Sequence, residues 1–306
     1  MAMSLHPRYL DALEDGRLDA ALAAARKGLR QCRLCPRVCG VDRTADETGV
    51  CRTGRSACVA GCHAHFGEEA PLVGQNGSGT IFFSFCSLLC CFCQNYEISH
   101  HGDGQVVSES ELAGMMLALQ QQGCHNINLV TPSHVVPQFL GALTMAAEKG
   151  LTLPLVYNSS GYDSVKTLRL LEGIVDIYMP DFKFLDETLA DQACAAPDYG
   201  AVARKAIKEM HRQVGDLVMD AAGIARSGLL VRHLVLPDNL AGTGEIMRFL
   251  AAEISDQTYV NVMSQYRPCG DVSALPALNR TLSAAEYHRA LDQARAAGIH
   301  RLDKGM

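Results

Sequence analysis

The sequence predicts an α/β protein built on a parallel sheet and preceded by a cysteine-rich extension. Two observations carry the sheet. From residue 79 onward, six short apolar runs alternate with helical patterns, and two capping boxes mark helix starts. A third carries the extension: ten of the 13 cysteines fall in two groups before residue 94. Strands alternating with helices imply βαβ units, which force neighbouring strands to run parallel. Six units are too few for an eight-fold barrel. An open partial barrel or a doubly wound sheet remains.

Each element has a local reason. Gly79–Phe85 is an apolar strand run. Ser108 followed by Glu111 is a capping box that opens a helix through Gln122, since each side chain satisfies the other's free backbone N–H. Asn126–Val130 is a short buried strand, followed by helical periodicity from His134 to Lys149. Leu153–Tyr157, Ile174–Met179, Leu229–Leu236 and Thr258–Met263 are the remaining strands. Between them lie helices at Ser164–Leu171, Val202–Leu217 and Gly244–Ile254. Ser283 and Glu286 form a second capping box for the closing helix. The segment 1–77 stands outside this alternation as a helical and cysteine-rich extension, and 78–306 is the core domain. The start of the extension has helical spacing through Leu10, Leu13, Leu18, Leu22 and Leu29.

Composition limits function. The chain has 306 residues, 27 Lys+Arg against 33 Asp+Glu, and 48% hydrophobic residues. That apolar content excludes a disordered chain. The formal net charge of −6 gives no footprint for non-specific nucleic-acid binding. The most apolar run, Thr80–Cys93, is shorter than the roughly 20 residues of a membrane helix, so no membrane partner is expected. MAMSLHPRYL has no charged start leading into an apolar stretch. An odd cysteine count without a secretory signal points to a reducing compartment, the cytoplasm, and to metal binding in place of disulfides.

The central motif is Cys86-Ser-Leu-Leu-Cys90-Cys91-Phe92-Cys93, a C-x3-C-x2-C spacing. Three thiolates on one loop face one centre, and soft sulfur selects zinc, copper(I) or iron–sulfur. A structural zinc site closes with four protein ligands. Cys91 is poorly placed to be the fourth, being adjacent to Cys90 and close to Cys93. Three ligands suggest a [4Fe–4S] cluster with one open iron, set at the carboxyl edge of a parallel sheet where ligand sites concentrate.

With an aromatic residue before its last cysteine and six strand–helix units behind it, this motif resembles the radical S-adenosylmethionine (SAM) superfamily. The resemblance implies a partial (β/α)6 TIM-like barrel in which Cys86, Cys90 and Cys93 hold a [4Fe–4S] cluster. There the open iron chelates SAM, and reductive cleavage yields a radical that abstracts hydrogen. Cys93-Gln94-Asn95 is similar to the corresponding run of glycyl-radical-enzyme activases such as the pyruvate formate-lyase activator. Met179-Pro180-Asp181-Phe182-Lys183 resembles their Met-x-Asp-x-Lys, whose Asp and Lys help hold SAM. Asn158-Ser-Ser-Gly161 stands where activases carry Asp-Thr-Asn-Gly, with Asn158 replacing the acid. Activases have Gly-Gly-Glu-Pro after the second strand; this chain has Thr131-Pro-Ser133-His134. The resemblance thus implies Phe92, Asn95, Ser133, Asn158, Asp181, Lys183 and Gln265 as SAM-binding residues, with His134 either an acid/base or a helix-start cap.

HFGEEAPL, GSGTIFFSFC, CQNYEIS, YNSSGY, DIYMPDFK and VRHLVLPDN, within residues 65–239, carry a wider resemblance to the PflX-type branch of this superfamily. Ser87 departs from the asparagine usual there. A protein or peptide substrate and a reductant such as a flavodoxin or ferredoxin follow from the likeness to activases.

Cys32, Cys35, Cys39 and Cys51 have the spacing C-x2-C-x3-C-x11-C. Four thiolates close one tetrahedral site, either zinc or an auxiliary iron–sulfur cluster. Cys58, Cys62, His63 and His65 are four further potential ligands, and Glu68 and Glu69 are candidates for the pocket mouth. The rival reading is a non-enzymatic metalloprotein, a zinc-stabilised interaction module or an electron carrier. The missing fourth ligand at Cys86–Cys93 favours SAM chemistry.

Overall fold

The computed structural model describes residues 6–303; the outer ends of the two expected segments, 1–5 and 304–306, lie outside them. The strands are β1 Ala57–His65, β2 Ser78–Phe83, β3 Gln105–Val107, β4 Ile127–Val130, β5 Leu155–Ser159, β6 Ile177–Pro180, β7 Val218–Met219, β8 Ala225–Leu234 and β9 Tyr259–Met263. The helices are α1 Arg8–Glu14, α2 Arg17–Lys27, α3 Ala70–Val73, α4 Glu109–Gln121, α5 Val136–Glu148, α6 Val165–Leu170, α7 Glu187–Cys194, α8 Tyr199–Val214, α9 Thr243–Phe249 and α10 Ala284–Ala296. All six expected strands are present, and both capping boxes form with their two reciprocal hydrogen bonds.

The result is a mixed α/β protein. Strands β2, β4, β5, β6, β8 and β9 pair side by side, all parallel, in chain order. The sheet is not closed into a barrel. Its β2 edge continues into antiparallel β1 and β3, and β7 adds antiparallel to the start of β8. The strand β1 lies inside the segment read as an extension, so the cysteine-rich region contributes directly to the sheet.

Period-two alternation sorts the side chains to two faces. Ile81, Leu129, Tyr157, Tyr178 and Val231 join the large core under the helices. Val156, Ile177, Met179, Leu230 and Tyr259 point to the other face and pack with Leu72 of α3 in a separate cluster. Central strands covered on both sides read as continuous apolar runs; every residue of β5 and β6 is buried. The helices α1 and α2 bring Tyr9, Leu18 and Leu22 into the large core. Tyr9 Oη donates to Leu153 O (3.0 Å), tying α1 to the amino end of β5.

His233 joins β8 to its neighbours. Its Nδ1–H donates to Phe182 O (2.7 Å), and its Nε2 accepts from Thr243 Oγ1 (2.9 Å). Burial lowers the imidazole pKa from the ordinary 6.5 to about 4. The neutral ring is therefore stabilising above pH 6.5, and that share is lost as pH falls toward 4. It amounts to about 3 kcal/mol. Urea unfolding of wild type and His233→Gln at several pH values should differ in slope by this amount over that window. Parallel pH profiles would contradict the assignment.

Candidate functional site

At the carboxyl ends of the parallel strands lies a cavity of about 380 Å³, within the range of ligand pockets. Each wall follows from strand order. Val130 ends β4, Asn158 lies on β5, Asp181 follows β6, Arg232 and Leu234 lie on β8, and Met263 ends β9. The loop after β2 supplies Cys90, Phe92, Cys93, Gln94 and Asn95. Parallel pairing puts all these strand ends at one edge, and alternation turns the named side chains inward.

The loop that carries the thiols is shaped by its backbone. Phe85 and Leu89 adopt left-handed φ of 67° and 57° on either side of Cys86. The Leu88 N–H donates to Cys86 Sγ (3.3 Å) and the Cys93 N–H to Cys90 O (3.1 Å). Cys91 is held by its main chain, with N–H donating to Ala193 O (2.8 Å) and O accepting from Asp271 N–H (2.9 Å). Phe92 is buried, edge-on to Phe184 and Tyr266 at 6.3 and 6.5 Å.

Burial, with Cys90 nearby, pushes the Cys86 thiol up to about 12. A hydrogen bond with Cys194, together with burial, raises Cys90 well above the ordinary thiol range, and burial also raises Cys93. Such thiols stay protonated until a metal displaces the protons. Among the described residues, no three His, Cys, Asp or Glu side chains stand gathered closely enough to hold a metal ion. Cys90 and Cys93 line the cavity, whereas Cys86, on the same loop, does not. Two soft donors on the lining, with a third on the same loop, suit a cluster in chemistry, and the volume beside them suits an organic ligand.

The opposite wall is charged. Lys183 Nζ donates to Asp181 Oδ2 (2.6 Å) and Arg232 Nε to Asp181 Oδ1 (2.8 Å). All three are mostly buried. Burial would raise the Asp181 carboxyl, but Arg232 and Lys183 outweigh it and hold the group below the usual carboxylate range. Burial likewise opposes charge on Lys183, yet Asp181 keeps it raised. Arg232 Nη1 also approaches Glu68 Oε2 (3.6 Å), and Glu68 Oε1 stands 3.3 Å from His65 Nδ1. Two carboxylates and two fixed cations thus share one wall, suited to a ligand that carries both charges.

The site brings together Cys90, Cys93, Phe92, Asn95, Asn158, Asp181, Lys183 and Gln265 of the residues expected from sequence. It does not bring in Ser133, which is buried and donates to Asp163 Oδ1 (2.6 Å) alongside Tyr157 and Ser159. His134 is buried too, with Nε2 against Ser84 O (3.0 Å). Glu68 lines the cavity, whereas Glu69 is buried and accepts from Asn261 Nδ2 (2.9 Å). Cys58, Cys62, His63 and His65 do not converge: Cys58 points to Gly102 O and His63 stacks on Phe82. Cys32, Cys35, Cys39 and Cys51 line a separate, small cavity. Sequence reasoning missed Arg232, Met263 and Gln94 as wall residues. An arginine inside the apolar run of β8 was the available signal for the first.

No protein-family model matches the chain. The chain is 30% identical over 293 residues to Uncharacterized protein MJ0674 of Methanocaldococcus jannaschii, an alignment covering 93% of this chain and 80% of the archaeal protein. At that identity and coverage the chain belongs to the same family as this archaeal protein. Among the described residues no helix is long and apolar enough to cross a membrane.

Replacing Arg232 removes the cation shared by two carboxylates, leaving Asp181 with Lys183 alone and Glu68 with only His65 nearby. Arg232→Met should destabilise the fold by about 3 kcal/mol, the loss typical of a broken buried pair. Lys183→Met should cost less, because Asp181 keeps Arg232. Urea midpoints of the two variants check this order, and a reversed order would refute the central role given to Arg232.

Proposed function

We propose that the chain is a radical SAM enzyme related to glycyl-radical-enzyme activases, acting on a protein or peptide substrate. The observation that carries this is the shared cavity: thiols of the C-x3-C-x2-C loop face the Asp181–Lys183–Arg232 wall at one sheet edge. The open sheet of six parallel strands in chain order is compatible with the partial (β/α)6 barrel of that superfamily. Cys86, Cys90 and Cys93 would hold the [4Fe–4S] cluster. Lys183 and Arg232 suit the SAM carboxylate, and Asp181 suits its amino or sulfonium charge. Asn95, Asn158 and Gln265 offer hydrogen bonds, and Phe92 shields the cluster side from water. When bound, the cluster and SAM supply homolytic SAM cleavage and hydrogen-atom abstraction. The reading also calls for a reductant such as a flavodoxin or ferredoxin, and for a reducing compartment, the cytoplasm.

Anaerobic reconstitution followed by dithionite and SAM should release 5′-deoxyadenosine. Cys86→Ala should lose about one cluster's iron, and Lys183→Met should weaken SAM binding at least tenfold, on the order of the 1.4 kcal/mol that such a ratio represents. A fully loaded cluster that leaves SAM intact would overturn the assignment. A colourless protein with zinc on Cys86, Cys90 and Cys93 would point to a structural site instead.

A further inference from the structure

Four of the six cysteines of the extension line a second cavity, apart from the one just described. Cys32, Cys35, Cys39 and Cys51 line a space of about 10 Å³ together with Arg43 and His134. That is room for about one water-sized body, the scale of a single ion.

In this structure the four sulfurs are not drawn together tightly enough to hold an ion, so zinc would have to close them, and the loops around them admit sulfur at close quarters. Cys32 N–H donates to Val41 O (2.9 Å) and Gly40 N–H to Cys32 O (2.9 Å), closing the first loop. The Val50 N–H donates to Cys39 Sγ (3.4 Å). A Cβ on Gly49 would lie 2.6 Å from the same sulfur, so only glycine admits this approach.

Arg43 supplies an independent sign of negative charge. It is 1% exposed and lines the same cavity. Nε donates to Gly54 O (2.9 Å) and Nη1 to His134 O (2.8 Å), with Cys32 Sγ 3.9 Å from Nη1. Its Nη2 has no hydrogen-bond partner. A buried guanidinium facing neutral thiols is costly, whereas one facing thiolates is paired. Four thiolates around a divalent cation carry a net charge of about −2, which Arg43 partly offsets.

We propose that Cys32, Cys35, Cys39 and Cys51 bind a single zinc ion in a closed tetrahedral site, with Arg43 as its buried counter-charge. The site has a structural consequence. Arg37, between Cys35 and Cys39, donates to Ser87 O (2.9 Å), Leu88 O (3.0 Å) and Cys194 O (2.6 Å), and also to Ala195 O. Zinc ligands on either side of Arg37, Cys35 and Cys39, would fix the guanidinium that clamps the Cys86–Cys93 loop to the end of α7. The zinc site stands independently of the proposed function; calling the clamped loop a cluster loop rests on that reading.

Zinc is measured on the full chain purified from zinc-supplemented medium without chelator. One equivalent is expected. It should persist in the Cys86→Ala/Cys90→Ala/Cys93→Ala variant and fall below a tenth in Cys32→Ala/Cys51→Ala. Zinc-edge X-ray absorption on wild type, which needs no variant to fold, should give four sulfurs at about 2.3 Å. Absence of zinc, nitrogen or oxygen ligands, or iron at this site in the triple variant would overturn the proposal. Arg37→Met should keep its zinc while amide exchange across Ser87–Leu89 rises at least tenfold. Unchanged exchange would overturn the clamp and leave the zinc result standing. Because the triple variant lacks the cluster ligands, failure of SAM cleavage and failure of zinc binding are read separately.

Discussion

Parallel pairing in chain order is the constraint on which the site depends. Because β2, β4, β5, β6, β8 and β9 follow one another across the sheet, each crossover returns the chain to the same end. Every strand then delivers its last inward side chain to one edge. Residues as distant in sequence as Cys90 and Met263 line the same cavity for that reason. The other end of the same face is filled by Leu72, Ile177 and Tyr259. One face therefore has an apolar plug at one end and a polar mouth at the other.

The polar mouth depends on a charge balance that no single side chain sustains. Asp181 is desolvated by the fold that positions it and is kept ionised by Arg232 and Lys183. Because β6 and β8 are adjacent, Asp181 bridges to Arg232 across the strand pair, and Phe182 N–H donates to Arg232 O (2.8 Å) just beyond it. The ion pair thus continues the sheet's own hydrogen bonding past the end of β6. Lys183 lies on the side of the same turn that faces the thiol loop.

Much of this was legible in sequence, for identifiable reasons. The parallel strands are apolar runs bounded by helix signals, and the capping boxes pin α4 and α10. The strand β1 was not legible because Ala-Cys-Val-Ala-Gly-Cys-His-Ala-His reads as a tract of metal ligands. In the fold, His63 instead spends its ring on Phe82 at 5.6 Å. The strands β3 and β7 have three and two residues, too few for periodicity to register. Among site residues, those on the thiol loop and the β6 turn were visible as motifs. Arg232 was hidden because it lies within a strand, where motif searches look for packing. Ser133 was expected at the cavity from its place after β4. Thr131, at φ 62°, opens a turn that buries Ser133 against Asp163, a carboxyl 30 residues further along the chain.

The two thiol-bearing loops also bear on the choice between an enzyme and a purely structural metalloprotein. A structural site needs ligands and little space, and the cavity at Cys32, Cys35, Cys39 and Cys51 is of that kind. The Cys86–Cys93 loop differs in setting. It stands beside a cleft of about 380 Å³ whose lining carries mostly buried charges of both signs. Buried ion pairs are weak contributors to stability, since desolvation consumes most of their attraction. A fold that keeps Asp181, Lys183 and Arg232 around an open volume is better explained by a zwitterionic ligand than by stability. On that physical asymmetry rest the proposals of catalysis at the Cys86–Cys93 loop and of a structural ion at Cys32, Cys35, Cys39 and Cys51.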